Sequence, residues 1–272
     1  MVDSVRCISL SPDGSFLASG DEVGNIRIHK LKGQEIEQIK FMESHDNEVI
    51  SLSYSPELIR TTPGSRPATQ YFLASGGRDK TILLYDAENE YEAFTDLGHH
   101  SSTITALQFN ESVGTQKGAS RLRANIDLIS GGADRNLVMK RLDQDKVDEC
   151  LSREQLQIAG SDPSNLFKHA NTEMCKDKVL SMDVAKDAQY LVTGHDKSLT
   201  LWKLPGFEKM WEKRASSLQE ESKAEGPSSR TPLQLRVMID SLASVVVSSS
   251  TSKRVTIYEA ATGQPICRGS PG

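Results

Sequence analysis

The sequence predicts an all-β chain built from repeated four-stranded units, the blades of a β-propeller. Three observations predict it. A strand-like segment recurs: residues 5–12 read VRCISLSP, 49–56 VISLSYSP, 104–110 ITALQFN and 179–185 VLSMDVA. Each places apolar residues in near alternation, as a strand packed on one or both faces requires. A second strand ending in small residues follows each time, with FLASG at 16–20 and again at 72–76, LISG at 128–131 and LVTG at 191–194. Then comes a third: NIRIH at 25–29, TILLY at 81–85, NLVMK at 136–140 and SLTLW at 198–202.

A fainter fifth copy runs from LRVMI at 235–239 through 246–248 to RVTIY at 254–258, with ATGQ at 261–264 leading to a last strand. One such sheet cannot bury both apolar faces alone, so the copies must stack on one another. The glycines after the second strands are expected to let the chain reverse at positive φ.

Taken in order, the copies give blades at about 1–43, 44–98, 99–150, 175–210 and 231–268, within one repeat domain covering 1–272. The first strands begin at 5, 49, 104 and 179. That spacing exceeds the usual blade length of about 40–45 residues, so polar inserts are expected. They fall at 59–70, which holds Pro63 and Gly64, at 111–125, at 143–177 and at 211–230. The stretch DECLSREQLQI at 148–158 suits a short helix or a strand equally.

Bulk properties narrow the function. The 272 residues carry 32 basic and 37 acidic side chains, a net charge of -5, which argues against a dedicated nucleic-acid binder. No apolar run approaches the roughly 18 residues that span a bilayer, and MVDSVR at the start lacks signal-peptide character. Cys7, Cys150, Cys175 and Cys267 form no CxxC pair and read as reduced thiols. A cytoplasmic protein without membrane attachment is expected, in which the sequon at Asn110–Ser112 carries no glycan.

With these repeats in view, the chain resembles the WD-repeat proteins. That resemblance implies a set of blade anchors: a His before the first strand, a Ser or Thr on the second, an Asp in the next turn and a Trp on the third. Blade two supplies His45, Ser75 and Asp79, with Tyr85 in the Trp position. Blade three supplies His100, Ser130 and Asp134, with Lys140 replacing the Trp. Blade four has Thr193, Asp196 and Trp202, while Cys175 stands where the His belongs. Blade one has Ser19, with Val23 and His29 at the Asp and Trp places, and blade five has Ser248, Ser252 and Tyr258.

More narrowly, VRCISLSPDG, LASGD and GNIRIH in blade one are similar to a blade of one scaffold group. So are SHDNEV, LASGGRDK, HSSTITA and ISGGADR further on. Together they resemble the second propeller of the mitogen-activated-protein-kinase-binding WD-repeat scaffolds, which include a centrosomal and spindle-pole member. The match covers about residues 5–142 closely. Such proteins close a ring with seven blades, so five copies imply part of a seven-bladed or tandem propeller, unless an insert hides a further blade.

No residue set signals catalysis. GxSxG, HExxH and GxxxxGK[ST] are absent, and no metal or cofactor site is expected. Ser75 before Gly76-Gly77 has the look of a nucleophile, but Ser19 and Ser130 recur at the same place. Asp79, Asp134 and Asp196 repeat likewise, which marks turn carboxylates. His100 is expected inside a blade and His99 in a connecting turn. Lys117, Arg121, Arg123, Arg135, Lys140 and Arg141 are expected as scattered, solvated charge rather than a patch. Trp211 has no obvious strand slot and is expected in the core or on a blade face.

The expected function is therefore a non-enzymatic scaffold or adaptor for other proteins, in kinase signalling or at the centrosome or cytoskeleton. By the resemblance, kinase-docking segments lie outside the propellers, and no kinase-binding residue falls on this chain. The alternative is a substrate-receptor propeller that captures a peptide or modified protein, with a basic or aromatic pocket on one face.

Overall fold

Alternating apolar residues with Gly-, Asp- and Asn-rich turns leave antiparallel strands as the economical way to pair the backbone. The computed structural model describes residues 3–60, 68–97, 100–113, 124–143, 166–186, 189–214, 234–250 and 254–269, and no α-helix occurs among them.

The first sheet orders β1 (Val5–Leu10), β2 (Phe16–Asp21), β3 (Asn25–Lys32) and β4 (Glu35–Glu43). The second holds β5 (Val49–Tyr54), β8 (Phe72–Gly77), β9 (Ile82–Asp86) and β10 (Glu92–Asp96). Between β5 and β8, β6 (Leu58–Arg60) and β7 (Ala68–Gln70) pair as a separate hairpin. The third orders β11 (Ile104–Val113), β12 (Ala124–Gly132), β13 (Asn136–Leu142) and β14 (Phe167–Met174). The fourth has β15 (Val179–Val184), β16 (Tyr190–His195), β17 (Ser198–Lys203) and β18 (Glu208–Arg214). The fifth has β19 (Gln234–Ile239), β20 (Val245–Ser250), β21 (Val255–Glu259) and β22 (Pro265–Gly269). These five sheets are propeller blades.

Two compact units divide the chain, one of residues 1–130 and 138–170, the other of 131–137 and 171–272. In each, the apolar core lies between successive blades. In the first unit, Ala18, Ile26 and Ile28 meet Val49, Leu52 and Tyr54 of the next blade. Phe72, Ala74, Ile82 and Leu84 in turn meet Ile104, Leu107 and Phe109. In the second unit, Val192, Leu199 and Leu201 meet Val237 and Ile239.

The repeat extends to fine register. The pairing of first and second strands shifts at Val5/Cys7, Val49/Ser51, Val179/Ser181 and Gln234/Arg236, one bulge at one place in four blades. A second bulge sits between third and fourth strands, beside His29, Tyr85, Trp202 and Tyr258. Such insertions re-aim side chains and increase local twist. The innermost strands are also clasped, side chain to backbone, across the seam. Ser9 accepts the Tyr54 N–H at 3.2 Å, Ser53 the Phe109 N–H at 3.0 Å and Asp183 the Ile239 N–H at 2.9 Å. By register these are the same two positions each time.

Several expectations need correction. Gly20, Gly76 and Gly131 do not adopt positive φ. A Cβ there would lie 2.6–2.7 Å from Val49, Ile104 and Val179, the first residues of the next blades. They are glycines because a β-branched side chain presses on the backbone. The expected insert 143–177 contains β14, which completes the third blade beyond residue 150; residues 144–165, with Cys150 and the stretch 148–158, lie outside the described residues. The insert 111–125 is narrower, since β11 runs to Val113 and β12 starts at Ala124, and in 211–230 the first residues belong to β18.

Gly76→Ala should lower the unfolding free energy by about 1–3 kcal/mol, the usual cost of overpacking. Combining it with Ile104→Ala should cost less than the sum of the two single changes, measured by urea unfolding as a double-mutant cycle. Simple additivity would show that the two sites do not press on each other.

Candidate functional site

His45 precedes β5, Ser75 lies on β8 and Asp79 in the turn that follows. Asp79 accepts hydrogen bonds from the His45 Nδ1–H (2.9 and 3.0 Å), the Asp46 N–H (3.2 Å) and the Thr81 N–H (3.2 Å). A carboxylate on Nδ1 assigns the proton there, so Nε2 accepts the Ser75 hydroxyl at 2.6 Å. Burial raises the Asp79 pKa, but His45 and the Thr81 hydrogen bonds outweigh it and hold the group below its ordinary value. Gly77 leaves room for the network, since a Cβ would stand 2.5 Å from Asp79 Oδ1 and 2.7 Å from His45 Nδ1.

Serine, histidine and aspartate in this order have the arrangement of a nucleophile, its base and the base's orienting group. Here the Ser75 and His45 side chains are buried and bond to each other between strands. The Ser–His half recurs in the next blade, where His100 Nε2 pairs with Ser130 at 2.8 Å. Repetition at buried positions makes this an anchor joining the pre-blade loop to the sheet.

The other predicted anchors are placed as follows. Tyr85 is buried, and its hydroxyl lies near the Ser44 and Ser75 side chains without a hydrogen bond of good geometry. Asp134 accepts the Asn136 N–H at 3.1 Å. Lys140, in a Trp position, is buried with its ammonium donating to the Leu97 carbonyl. In blade four, Thr193 accepts the Trp202 Nε1–H at 2.7 Å and pairs with His195 Nε2 at 2.8 Å, while His195 Nδ1 donates to the Asp177 carbonyl at 3.3 Å. Asp196 is no part of that network.

His195 was missed. Reasoning by position put Cys175 in the histidine place, yet residues two apart on a strand share a face, so Thr193 and His195 on β16 already stand together. Cys175 is a buried thiol that desolvation pushes up to about 12. Blade one needs a similar correction. Asp21, rather than the residue at 23, holds the turn, accepting the N–H groups of Val23, Gly24 and Asn25 at 3.0, 3.0 and 2.8 Å and Arg27 at 2.6 Å. Ser19 bonds to the Arg27 carbonyl at 3.5 Å, and His29 Nδ1 is buried without a partner. Ser248 and Tyr258 are buried, and Ser252 lies outside the described residues.

Lys117, Arg121, Arg123 and His99 also lie outside the described residues. Arg141 is taken up by Asp127, which is buried and accepts at 2.7 and 3.0 Å, raising the Arg141 pKa. With Lys140 buried too, these two contribute little to a basic surface. Asn110 of the sequon is buried. Trp211 lies on β18, donates Nε1–H to the Ala260 carbonyl at 2.7 Å and packs on Tyr258 with ring centres 6.4 Å apart, fastening blade four to blade five.

Exposed charge gathers on the loop edge of blades one and two. Arg6 meets Glu22 at 3.0 Å and Glu48 at 3.1 Å, and Glu48 also meets Arg78 at 3.1 Å. Exposed pairs of this kind contribute little to stability, so they are free to trade partners. Among the described residues no group of three His, Cys, Asp or Glu side chains is placed to hold a metal. No described helix is long and apolar enough to cross a membrane.

Five four-stranded sheets, three of them carrying a His–hydroxyl pair, define a chain of WD-type propeller blades. The family model for the WD domain, G-beta repeat, matches residues 2–30, 36–86 and 167–203, and the chain carries WD repeats. It is 36% identical over 137 residues to mitogen-activated protein kinase-binding protein 1 of Mus musculus, a match covering 50% of this chain and 8% of that protein. It is 37% identical over 145 residues to WD repeat-containing protein 62 of Sus scrofa, covering 53% of this chain and again 8% of the relative. Nuclear distribution protein PAC1 of Gibberella zeae is 30% identical over 105 residues, 39% of this chain and 20% of that one. The matched stretch is thus a small part of each relative's length.

Burial depresses the His195 pKa, outweighing the bond to the Asp177 carbonyl. A depressed histidine contributes stability above its unfolded pKa of about 6.5 and loses it as pH falls toward the folded value. The urea midpoint should therefore fall between pH 7.5 and 5.5, and less steeply in His195→Gln. Equal slopes in the two proteins would show that His195 binds protons equally in the folded and unfolded states and that burial does not depress it.

Proposed function

We propose that the chain is a non-enzymatic scaffold module, whose blades hold a charged loop edge rigid for contact with other proteins. The observation that carries this reading is the placement of Ser75, His45 and Asp79. The residues with chemical potential are locked inside a blade, while Arg6, Glu22, Glu48 and Arg78 stand at the rim. A rigid frame presenting variable loops suits recognition, with little ordering cost on binding.

The likeness to mitogen-activated protein kinase-binding protein 1 supports a place in kinase signalling. The resemblance to the scaffold group with a centrosomal member supports a cytoplasmic location, at the cytoskeleton or centrosome. Its partners are proteins, with no specific nucleic acid and no membrane, and it needs no cofactor. Kinase docking belongs to segments outside the blades.

Proximity labelling in cells tests this. The set of proteins labelled by the chain should lose specific members in the Arg6→Glu/Arg78→Glu double variant, with the melting temperature nearly unchanged because exposed ion pairs are weak. Labelling no different from that of an unrelated propeller overturns the reading. Tight binding of a purified mitogen-activated protein kinase would move kinase docking onto the blades.

A further inference from the structure

Blade four gathers positive charge on its loop edge. The lead-in 175–178, the turn 195–198 between β16 and β17, the end of β18 and the turn at Asp134 and Arg135 meet there, all within the second compact unit. The Cys175 N–H donates to the Arg135 carbonyl at 2.7 Å, and Ser198 pairs with Arg214. The two signs of charge are sorted by exposure. Arg135, Lys176, Lys178, Lys197 and Arg214 are exposed, while Asp134, Glu173, Asp177, Asp196 and Glu212 are all half-buried. On the loop edge of blades one and two the exposed charge is mixed, with Glu43 and Asp46 beside Arg6, Arg78 and Lys80.

Within this edge three cations converge on one carboxylate. Glu212 meets Lys209 at 3.0 Å, Arg214 at 3.0 Å and Lys176 at 3.6 Å. Burial raises the Glu212 pKa, but hydrogen bonds from Lys209 and Arg214 and the charges of Lys209 and Lys176 outweigh it and bring the group down to about 2. Lys209 is held from a second side, its ammonium 5.3 Å from the centre of the Trp202 ring. The Glu212 side chain is 14% exposed, whereas those of Lys176 and Arg214 are 62% and 57% exposed. The carboxylate is thus set back, and two of its three cations reach toward solvent. Two apolar side chains stand beside them in the chain, Met174 at 70% and Met210 at 45% exposure.

We propose that Lys176, Lys209 and Arg214 form a docking site for a phosphorylated serine or threonine in a segment of a partner protein. The charge count favours phosphate. Three cations around one carboxylate leave two positive charges over, and a phosphomonoester brings nearly two negative charges on one group. Its acceptor oxygens also suit donors that already share one point, whereas an aspartate or glutamate brings a single charge. Glu212 keeps the three cations gathered before the partner arrives, which lowers the ordering cost of binding. Exposed Met174 and Met210 offer adaptable apolar contact to the residues beside the phosphate. The inference rests on the reading of the chain as a binding module, but it uses none of the residues Arg6, Glu22, Glu48 and Arg78.

The test passes a peptide library with a fixed phosphoserine between randomised positions over the immobilised full chain. The same library with serine or glutamate at the fixed position is run beside it. Retained peptides are then measured by fluorescence anisotropy. The phosphorylated forms should bind at least about tenfold more tightly than their glutamate counterparts, the worth of one charge-assisted hydrogen bond. Lys176→Ala/Arg214→Ala should weaken them by about tenfold or more on the same scale. Glu212→Gln, which removes the competing carboxylate, should tighten them. Arg6→Glu/Arg78→Glu should bind them as the parent does, so failure here is told apart from failure of the rim charges to recognise partners. No retention of the phosphorylated library above the serine library overturns the proposal. So does equal affinity for glutamate, or a loss of binding that follows Arg6 and Arg78 instead of Lys176 and Arg214.

Discussion

A four-stranded sheet with two apolar faces is not stable alone in water, and everything described above follows from how this chain meets that constraint. Its cores lie at seams between blades. The two seams joining the first three blades use three contacts: a β-branched residue against a glycine backbone, two apolar side chains against strands two and three, and a polar side chain holding one N–H of the next innermost strand. Val179 repeats the first of these on Gly131, and Val237, Ile239 and Asp183 repeat the other two. The apolar part supplies most of the driving force, since area removed from water scales with side-chain size. The polar part sets register, because a slip of one residue would turn the apolar pair away from its neighbour.

The anchors inside blades solve a second problem. The loop entering a blade carries backbone groups and a histidine that must stay paired once buried. Asp79, His45 and Ser75 do this in blade two, and His195, Thr193 and Trp202 do it in blade four with the imidazole arriving from the opposite side of the sequence. The same demand, pairing of a buried imidazole and hydroxyl, is met by two chain routes. Side chains committed in this way are held inside the blade, while Arg6, Glu22 and Arg78 stay exposed at the loop edge.

Strand order and blade number were legible because alternation and small-residue turns repeat in the residues themselves. His45, Ser75 and Asp79 came from the resemblance to the WD-repeat proteins rather than from the alternation itself. What escaped was whatever departs from fixed position. His195 shares a face with Thr193 only once β16 is known to be extended, and Asp21 reaches its turn from two residues earlier than the repeat suggests. The glycines were legible as glycines but not for their cause, because the side chain that excludes a Cβ comes from the next blade, at Val49, Ile104 or Val179. β14 escaped because its exposed, polar pattern of KHANTE carries no apolar alternation. Lys140 escaped because a lysine in a Trp position reads as surface, while its stem packs and its ammonium finds a carbonyl.

The most direct test of the seam account is amide exchange across the three clasps, compared between the parent chain and Ser9→Ala, Ser53→Ala and Asp183→Ala. The account predicts that each change speeds exchange at its own partner, Tyr54, Phe109 or Ile239 respectively, and leaves the other two near their parent rates. Uniform acceleration at all three sites, or none at any, would contradict it and leave apolar packing alone to set how the blades meet.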